Sequence, residues 1–293
     1  MTARYEFIDA EKASYPIVKM CEWLDVSRSG FYEWAGRPES ATAHRRTELS
    51  LLIRKAFDDS DGTYGHRRVH AALARGGVQA SLELVRTLMR ALDLQPCQPR
   101  PWRPTTTVAA DAGTTPDLVQ RNFTATAPGE KLVGDITYIA SWEGFLYLAT
   151  VIDCHTKECV GYAMADHMRT DLVIAALDMA ARNGRLRDGA IFHTDRGGQY
   201  MSITFAEHTT KLGIRRSVGR TGVCFDNAAA ESFNATVKVE RVNRTVYPTR
   251  EHARKDVARY IELRYNTRRL HSALGYRTPR EAYSEYINNH AAA

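Results

Sequence analysis

Residues 132–140, LVGDITYIA, and 190–195, AIFHTD, are two apolar segments that each carry one acidic residue, Asp135 and Asp195. In the first, Val133, Asp135, Thr137 and Ile139 alternate with apolar neighbours, as in a strand buried on both faces. A buried carboxylate there needs a partner. The second segment ends at Asp195 just before the turn RGGQY, which puts that carboxylate at a strand's carboxyl end, where open α/β sheets place their ligands. Strands near 132–140, 145–153 and 158–165, joined by the short polar turns WEG and HTKE, are expected to form an antiparallel meander. A helix near 170–183 then crosses to a strand at 190–194 that runs parallel to the first and brings Asp195 beside Asp135. Helices near 199–212, 226–243 and 249–266 complete the expected core.

A third carboxylate lies in DNAAAESFNATVKVERV, residues 226–242, which has the composition of a helix. Asp226 is placed to cap it, and Asn227, Glu231, Asn234 and Lys238 recur at i, i+4, i+7 and i+11 as one polar stripe. A phosphodiester resists hydrolysis because its charge repels the nucleophile and its alkoxide leaves poorly. Two divalent ions about 3.5–4 Å apart answer both problems. Hard Mg²⁺, or Mn²⁺ in its place, takes oxygen ligands and keeps open positions, so Asp135, Asp195 and Glu231 suit a metal-dependent polynucleotidyl transferase. Singly, the same residues read as a strand-edge residue, a turn former and a solvated helix position. Asp153 and Asp226 rank below them as a turn initiator and a cap. His193 shares a strand face with Asp195, either touching substrate or hydrogen-bonded in the core. Gly197 and Gly198 either admit a phosphate or make the turn.

Thirty-five residues separate Asp195 from Glu231, and Lys238 follows two helical turns later on the same face. With DITYI, YLATVID, HTDRGGQY, DNAAAESF and the terminal YNTRRLHSALGYRTPREAY, this order resembles the DDE core of retroviral-type integrases. It resembles above all the second-frame (OrfB) transposases of the IS-three family of bacterial insertion sequences, and covers almost the whole chain. Leu132 and Gly134 depart from the pattern, standing where relatives usually carry Trp and a small polar residue. The resemblance implies an α/β, ribonuclease-H-like core behind a small helix-turn-helix-like module. It also implies cleavage of element ends by water, followed by strand transfer from the freed 3′-hydroxyl. Asp135, Asp195 and Glu231 would hold two metal ions, and Lys238 would hold the donor end. The partners implied are double-stranded DNA, both element end and target, a homo-oligomer of at least two copies, and a first-frame OrfA product or fusion. No heptad run of the kind carried by that partner is visible. A structure-selective nuclease of the same fold, or a silent DNA-binding regulator, remain the alternatives.

The 293 residues can hold one sizeable core and a smaller helical module. No stretch approaches a membrane span, the amino terminus is too charged for a secretory signal, and five cysteines without a CxxC pair suit free thiols, so a cytoplasmic protein is expected. The net charge of +6 is unevenly spread. Residues 211–280 hold 16 Lys or Arg against 6 Asp or Glu, an excess around the Glu231 helix that suits a DNA backbone. The expected organisation is an N-terminal helical segment (1–42), a helix-turn-helix-like module (43–94), a Pro/Thr-rich linker (95–127), the catalytic core (128–247) and a C-terminal helical extension (248–293). In the N-terminal segment a helix capped by Ser27 or Ser29 is expected, and in the module two helices joined at Gly76–Gly77, the second capped by Ser81. Arg67 and Arg68 there, with Asn227, Asn234 and Arg241 in the core, are candidates for DNA contact. The linker, with PCQPRPWRP and Trp102, reads as an extended spacer.

Overall fold

The computed structural model describes residues 1–38, 40–97, 115–219 and 228–291. They fall into two units, Met1–Lys55 and Ala56–Ala293. In the first, α1 (Thr2–Glu11), α2 (Ile17–Trp23) and α3 (Arg28–Ala35) bury Ile8, Met20, Cys21 and Phe31. Ser27 caps α3, its Oγ accepting from the Gly30 amide at 3.3 Å. Helix α4 (Ala41–Asp59) crosses the division. None of the helices among the described residues is long and apolar enough to span a membrane.

The second unit opens with α5 (His66–Arg75) and α6 (Leu82–Ala91), separated by Gly76–Gly77, with Ser81 accepting from the Leu84 amide to cap α6. Its centre is a sheet built from β1 (Lys131–Ser141), β2 (Gly144–Asp153) and β3 (Cys159–Ala165). These are followed by α7 (Thr170–Arg182), β4 (Ile191–Thr194), α8 (Gly198–Met201), α9 (Ile203–Lys211) and β5 (Arg215–Val218). The strand order is β3-β2-β1-β4-β5; the first three are antiparallel, while β4 runs parallel to β1 and β5 parallel to β4. Helices α10 (Ala228–Glu240), α11 (Arg250–Tyr260) and α12 (Pro279–Ala291) complete the unit, α11 continuing as a π-turn over Ile261–Tyr265.

Alternation along the strands divides the core. Val133, Ile139, Leu146 and Leu148 face Phe233 and Val237 of α10 and Val257 of α11. Leu132, Ala149 and Val151 face Leu172, Val173 and Leu177 of α7 and Phe205 of α9. Gly161 on β3 lets α7 lie close, because a β-carbon there would collide with the carbonyl of Ala176 and, at 2.8 Å, the amide nitrogen of Ala180.

Three departures from the sequence expectation have identifiable causes. Strand β1 is buried on both faces only over 131–134; beyond Asp135 it alternates, with Tyr138 and Ala140 exposed, because β4 pairs with residues 131–133 alone. The helix expected at 199–212 breaks at Ser202, whose hydroxyl caps α9 by accepting from the Phe205 amide. Strand β5 escapes pattern reading because Arg215 and Arg216 occupy an edge strand whose inner end, Ser217 and Val218, is buried.

The segment read as a spacer also behaves differently. Residues 98–114, with Trp102, lie outside the described residues, but from 115 onward the chain packs. Val119, Ala125 and Ala127 are buried, the Val218 amide donates to Pro116 O, and Lys131 Nζ donates to the carbonyls of Asn122 and Thr124. The helices before it join the same compact unit as the core: Tyr64 Oη donates to Arg268 O at 3.1 Å, and Arg75 pairs with Glu281. The terminal block YNTRRLHSALGYRTPREAY supplies these partners. Within it Asn266 also accepts from the Cys159 amide and donates to the Cys159 carbonyl, both at 3.0 Å, binding the π-turn to β3.

Candidate active site

The parallel pairing of β1 with β4 joins Lys131 to Ile191, Leu132 to Phe192 and Val133 to His193, a constant offset of 60 residues. Carried two residues further, that register sets Asp135 abreast of Asp195, just where β4 has stopped and the edge of β1 is left open. Gly134 leaves room here for the Phe192 ring, which occupies the space a β-carbon would fill and would have to shift to admit one. Asp195 begins the turn, its Oδ1 accepting from the Gly197 amide at 3.0 Å. On α10, Ala230, Phe233 and Val237 are buried against the sheet at helical spacing, which leaves Glu231, Asn234 and Lys238 along the flank beside β1. Asn234 Nδ2 donates to Asp135 Oδ2 at 2.9 Å and so ties the Glu231 helix to the strand.

The electrostatics are those of crowded negative charge. Asp135 is half-buried, and its carboxyl is raised to about 7, first by burial and next by the Asp195 charge; the Asn234 and Ile136 donors pull the other way, and Glu231 adds to the rise. Glu231 is raised by burial and by Asp195. Behind them the buried Tyr200 hydroxyl is held well above its ordinary value, by burial first and then by Asp135 and Asp195. Lys238 is lowered by burial and supported by Asp135, and its Nζ lies 4.4 Å from the centre of the Tyr138 ring. Asn234 Oδ1 is buried without a hydrogen-bond partner. Among the described residues no three His, Cys, Asp or Glu side chains stand as a ready-made metal cage.

Residues 125–224 and 212–279 each match a family described as integrase core domain, and residues 44–102 match the HTH-like domain. The chain is 37% identical over 269 residues to "Insertion element IS600 uncharacterized 31 kDa protein" of Shigella sonnei, covering 91% of this chain and 99% of that one. It is 34% identical over 280 residues to "Transposase InsF for insertion sequence IS3A" of Escherichia coli strain K12, covering 95% and 97%. The chain belongs to the IS-three family of insertion-sequence transposases. Solved structures similar to this transposase include the HTLV-2 integrase catalytic core domain in complex with magnesium. That match has 16% identity, covers 54% of this chain and 98% of that one, and has a TM-score of 0.41. A second is a simian T-cell lymphotropic virus intasome, with 16% identity, coverage of 73% and 70%, and a TM-score of 0.46. The protein is a DNA transposase with a ribonuclease-H-like, integrase-type core.

Other residues singled out by sequence take diverse places in the transposase. Asn227, like Asp226, expected from sequence to cap its helix, lies outside the described residues. Arg241 is turned to Asp256, Nε donating at 2.7 Å and Nη2 at 2.5 Å, with Tyr247 Oη donating to the same carboxylate. Arg68 lies 3.7 Å from buried Glu240, which also accepts from Arg269 Nε at 2.9 Å and from Tyr260 Oη at 2.7 Å. Arg67, beside it, is exposed. His193 is a core residue, 1% exposed, with Nδ1 2.8 Å from Ser217 Oγ. Asp153 fastens its own turn by accepting from the His155 and Thr156 amides and from the Gly129 amide. Sequence reasoning passed over Tyr138 and Tyr200; Tyr138 stood inside the quoted DITYI block, three residues from Asp135.

Proposed function

We propose that Asp135, Asp195 and Glu231 form the DDE catalytic set of this transposase. In this reading it cuts the ends of its element and joins the freed 3′-hydroxyl to target DNA. The observation that carries the proposal is the register that sets Asp135 abreast of Asp195, with Asn234 fastening the Glu231 helix to Asp135. The donor set fits Mg²⁺, with Mn²⁺ as a substitute. The Asp195 charge raises the proton affinity of both Asp135 and Glu231, and such crowded negative charge calls for a cation, here one that takes one or two carboxylates and fills its remaining positions with water and phosphate oxygens. Two such ions, when bound, would supply Lewis-acid activation of the attacking oxygen and stabilisation of the leaving one.

The chain's own contribution is positioning. The Gly197 amide holds Asp195 in one rotamer, and Asn234 orients Asp135. Lys238 stands beside Asp135 as the cation for a phosphate of the element's end. The exposed Arg67 is a further DNA contact in this reading, and Asn227 extends the same helical stripe in sequence, whereas Asn234, expected from sequence to touch DNA, is buried and serves Asp135 instead. Arg68 and Arg241, already engaged by Glu240 and Asp256, act by holding the surface that DNA meets. Action on two element ends implies at least two copies on double-stranded DNA in the bacterial cytoplasm, with or without a first-frame OrfA partner.

Asp195→Asn tests the assignment. It removes one charged ligand and almost no volume, so Mg²⁺-dependent cleavage and joining should fall by about 10²-fold or more while folding and DNA binding persist. Retained cleavage by the purified variant would remove Asp195 from the set. Joined strands distinguish a transposase from a nuclease, which yields cut strands only.

A further inference from the structure

The hairpin of β1 and β2 projects past the end of β4 and carries large aromatic side chains into solvent. Tyr138 is 55% exposed, Phe145 49% and Trp142, in the turn, 78%. Tyr138 pairs in register with Tyr147, and Ala140 with Phe145, so Tyr138 and Phe145 share one sheet face as diagonal neighbours, their ring centres 5.0 Å apart. Phe145 in turn meets Tyr147 at 6.4 Å. This face is opposite the one against which α10 packs, yet Lys238 of α10 reaches the Tyr138 ring across the strand edge that β4 leaves open.

The hairpin is held firmly. The Trp142 amide donates to Tyr247 O, Ser141 Oγ donates to Gly144 O, the Arg250 amide donates to Glu143, and Arg250 Nε donates to Phe145 O at 3.0 Å. Exposed aromatics on a stiff, cation-bordered edge suit flat, anionic, π-bearing ligands.

We propose that Tyr138 and Phe145 form a stacking platform for an unpaired base at the DNA end held by the catalytic carboxylates. This deepens the DDE reading and rests on it. Tyr138 lies three residues along β1 from Asp135, about 10 Å or roughly three nucleotides, but on the other face of the sheet; Lys238, reaching from the Asp135 side round the open edge to the Tyr138 ring, marks the path a strand would take from the carboxylates to it. The platform therefore receives bases next to the scissile phosphate. Charge complementarity selects nucleic acid, with Lys238 over one ring and Arg250 bound to the hairpin backbone. Within continuous duplex both faces of each base are already stacked, whereas an end that frays offers a free face. The platform is thus a device for holding the element's end open, and target DNA has no free base to give it.

The probes are a short duplex with mismatched terminal pairs and the same duplex closed by a hairpin loop at each end. Both are titrated against the full chain without divalent ions, with 2-aminopurine at the terminal position of the first. The wild type should prefer the open end and quench its fluorescence. Tyr138→Ala with Phe145→Ala should lose roughly five- to 150-fold of that preference for each stacked base and abolish the quenching, while binding to the closed duplex persists. Tyr138→Phe should keep both. An undiminished preference in the double variant overturns the proposal. So does loss of a concentration-dependent dimer without change in end binding, which would make the patch a contact between copies. The readout needs no cleavage, so its failure leaves the carboxylate assignment standing, and failure of Asp195→Asn leaves this measurement intact.

Discussion

Replacing Asp135 by Asn should stabilise the metal-free protein at alkaline pH, because this carboxylate is held where its charge is unfavourable. Its proton affinity rises from an ordinary 3.8 to about 7 in the fold, mainly by burial and secondly by Asp195. The sign follows from linkage. Above pH 7 the group is ionised in both folded and unfolded chains, and the folded state carries the full penalty. As pH falls through 7 towards 3.8, the folded chain takes up a proton that the unfolded chain does not, and the penalty fades. At ~1.4 kcal/mol per tenfold change in proton affinity the full difference is on the order of 4 kcal/mol. The site is only half-buried and water screens it, so about 2 kcal/mol is the expected gain. For a unit of this size that corresponds to roughly 4–8 °C in Tm. Asn preserves the shape, and the Asn234 amide, whose Oδ1 has no partner, can turn to accept from the new NH₂. Thermal unfolding of wild type and Asp135→Asn in chelator at pH 8 and pH 5 tests this. The variant should be the more stable at pH 8, with roughly two fifths of that advantage left at pH 5, and added Mg²⁺ should raise the wild type alone. A variant no more stable at pH 8, or equally favoured at both pH values, would refute the electrostatic account.

Lys238→Ala should impair joining of pre-cut ends far more than binding to random duplex, and Lys238→Arg should rescue only partly, since a planar guanidinium does not reproduce a compact ammonium; strand transfer beside filter binding measures both. Arg269→Met should cost about 3–5 kcal/mol by stranding Glu240, which is 5% exposed, and adding Glu240→Gln should recover a large part; urea unfolding of the three proteins reads this out. Gly161→Ala should destabilise by about 1–3 kcal/mol, because its β-carbon meets α7 backbone that cannot rotate away, and native-state proteolysis should show the loosening.

Much of the architecture was legible because local chemistry and global fold agree. The meander strands, the α7 crossover and the parallel return of β4 follow from apolar runs, short polar turns and the right-handed crossover rule. Asp135 and Asp195 stood out because a carboxylate inside or ending an apolar strand is chemically conspicuous, and Ser27 and Ser81 announced their helices by their position.

What the sequence determined alone was the periodicity of each segment and the order of its acidic blocks, since alternation and helical spacing act between near neighbours. Tertiary structure decided what depends on distant partners. β5 exists because β4 offers it an edge, although its own sequence is half arginine. Residues 115–127 pack because Ser217 and Lys131 meet their backbone. Arg68 and Arg241 look like phosphate ligands in the chain, yet Glu240 and Asp256, far apart from them or hidden by a turn, claim their charge. Tyr138 becomes a candidate surface residue only because β4 is four residues long and leaves its strand uncovered. Charge and aromaticity are properties of a residue, but whether they are spent inside the fold or presented to a ligand is fixed by which elements end beside them.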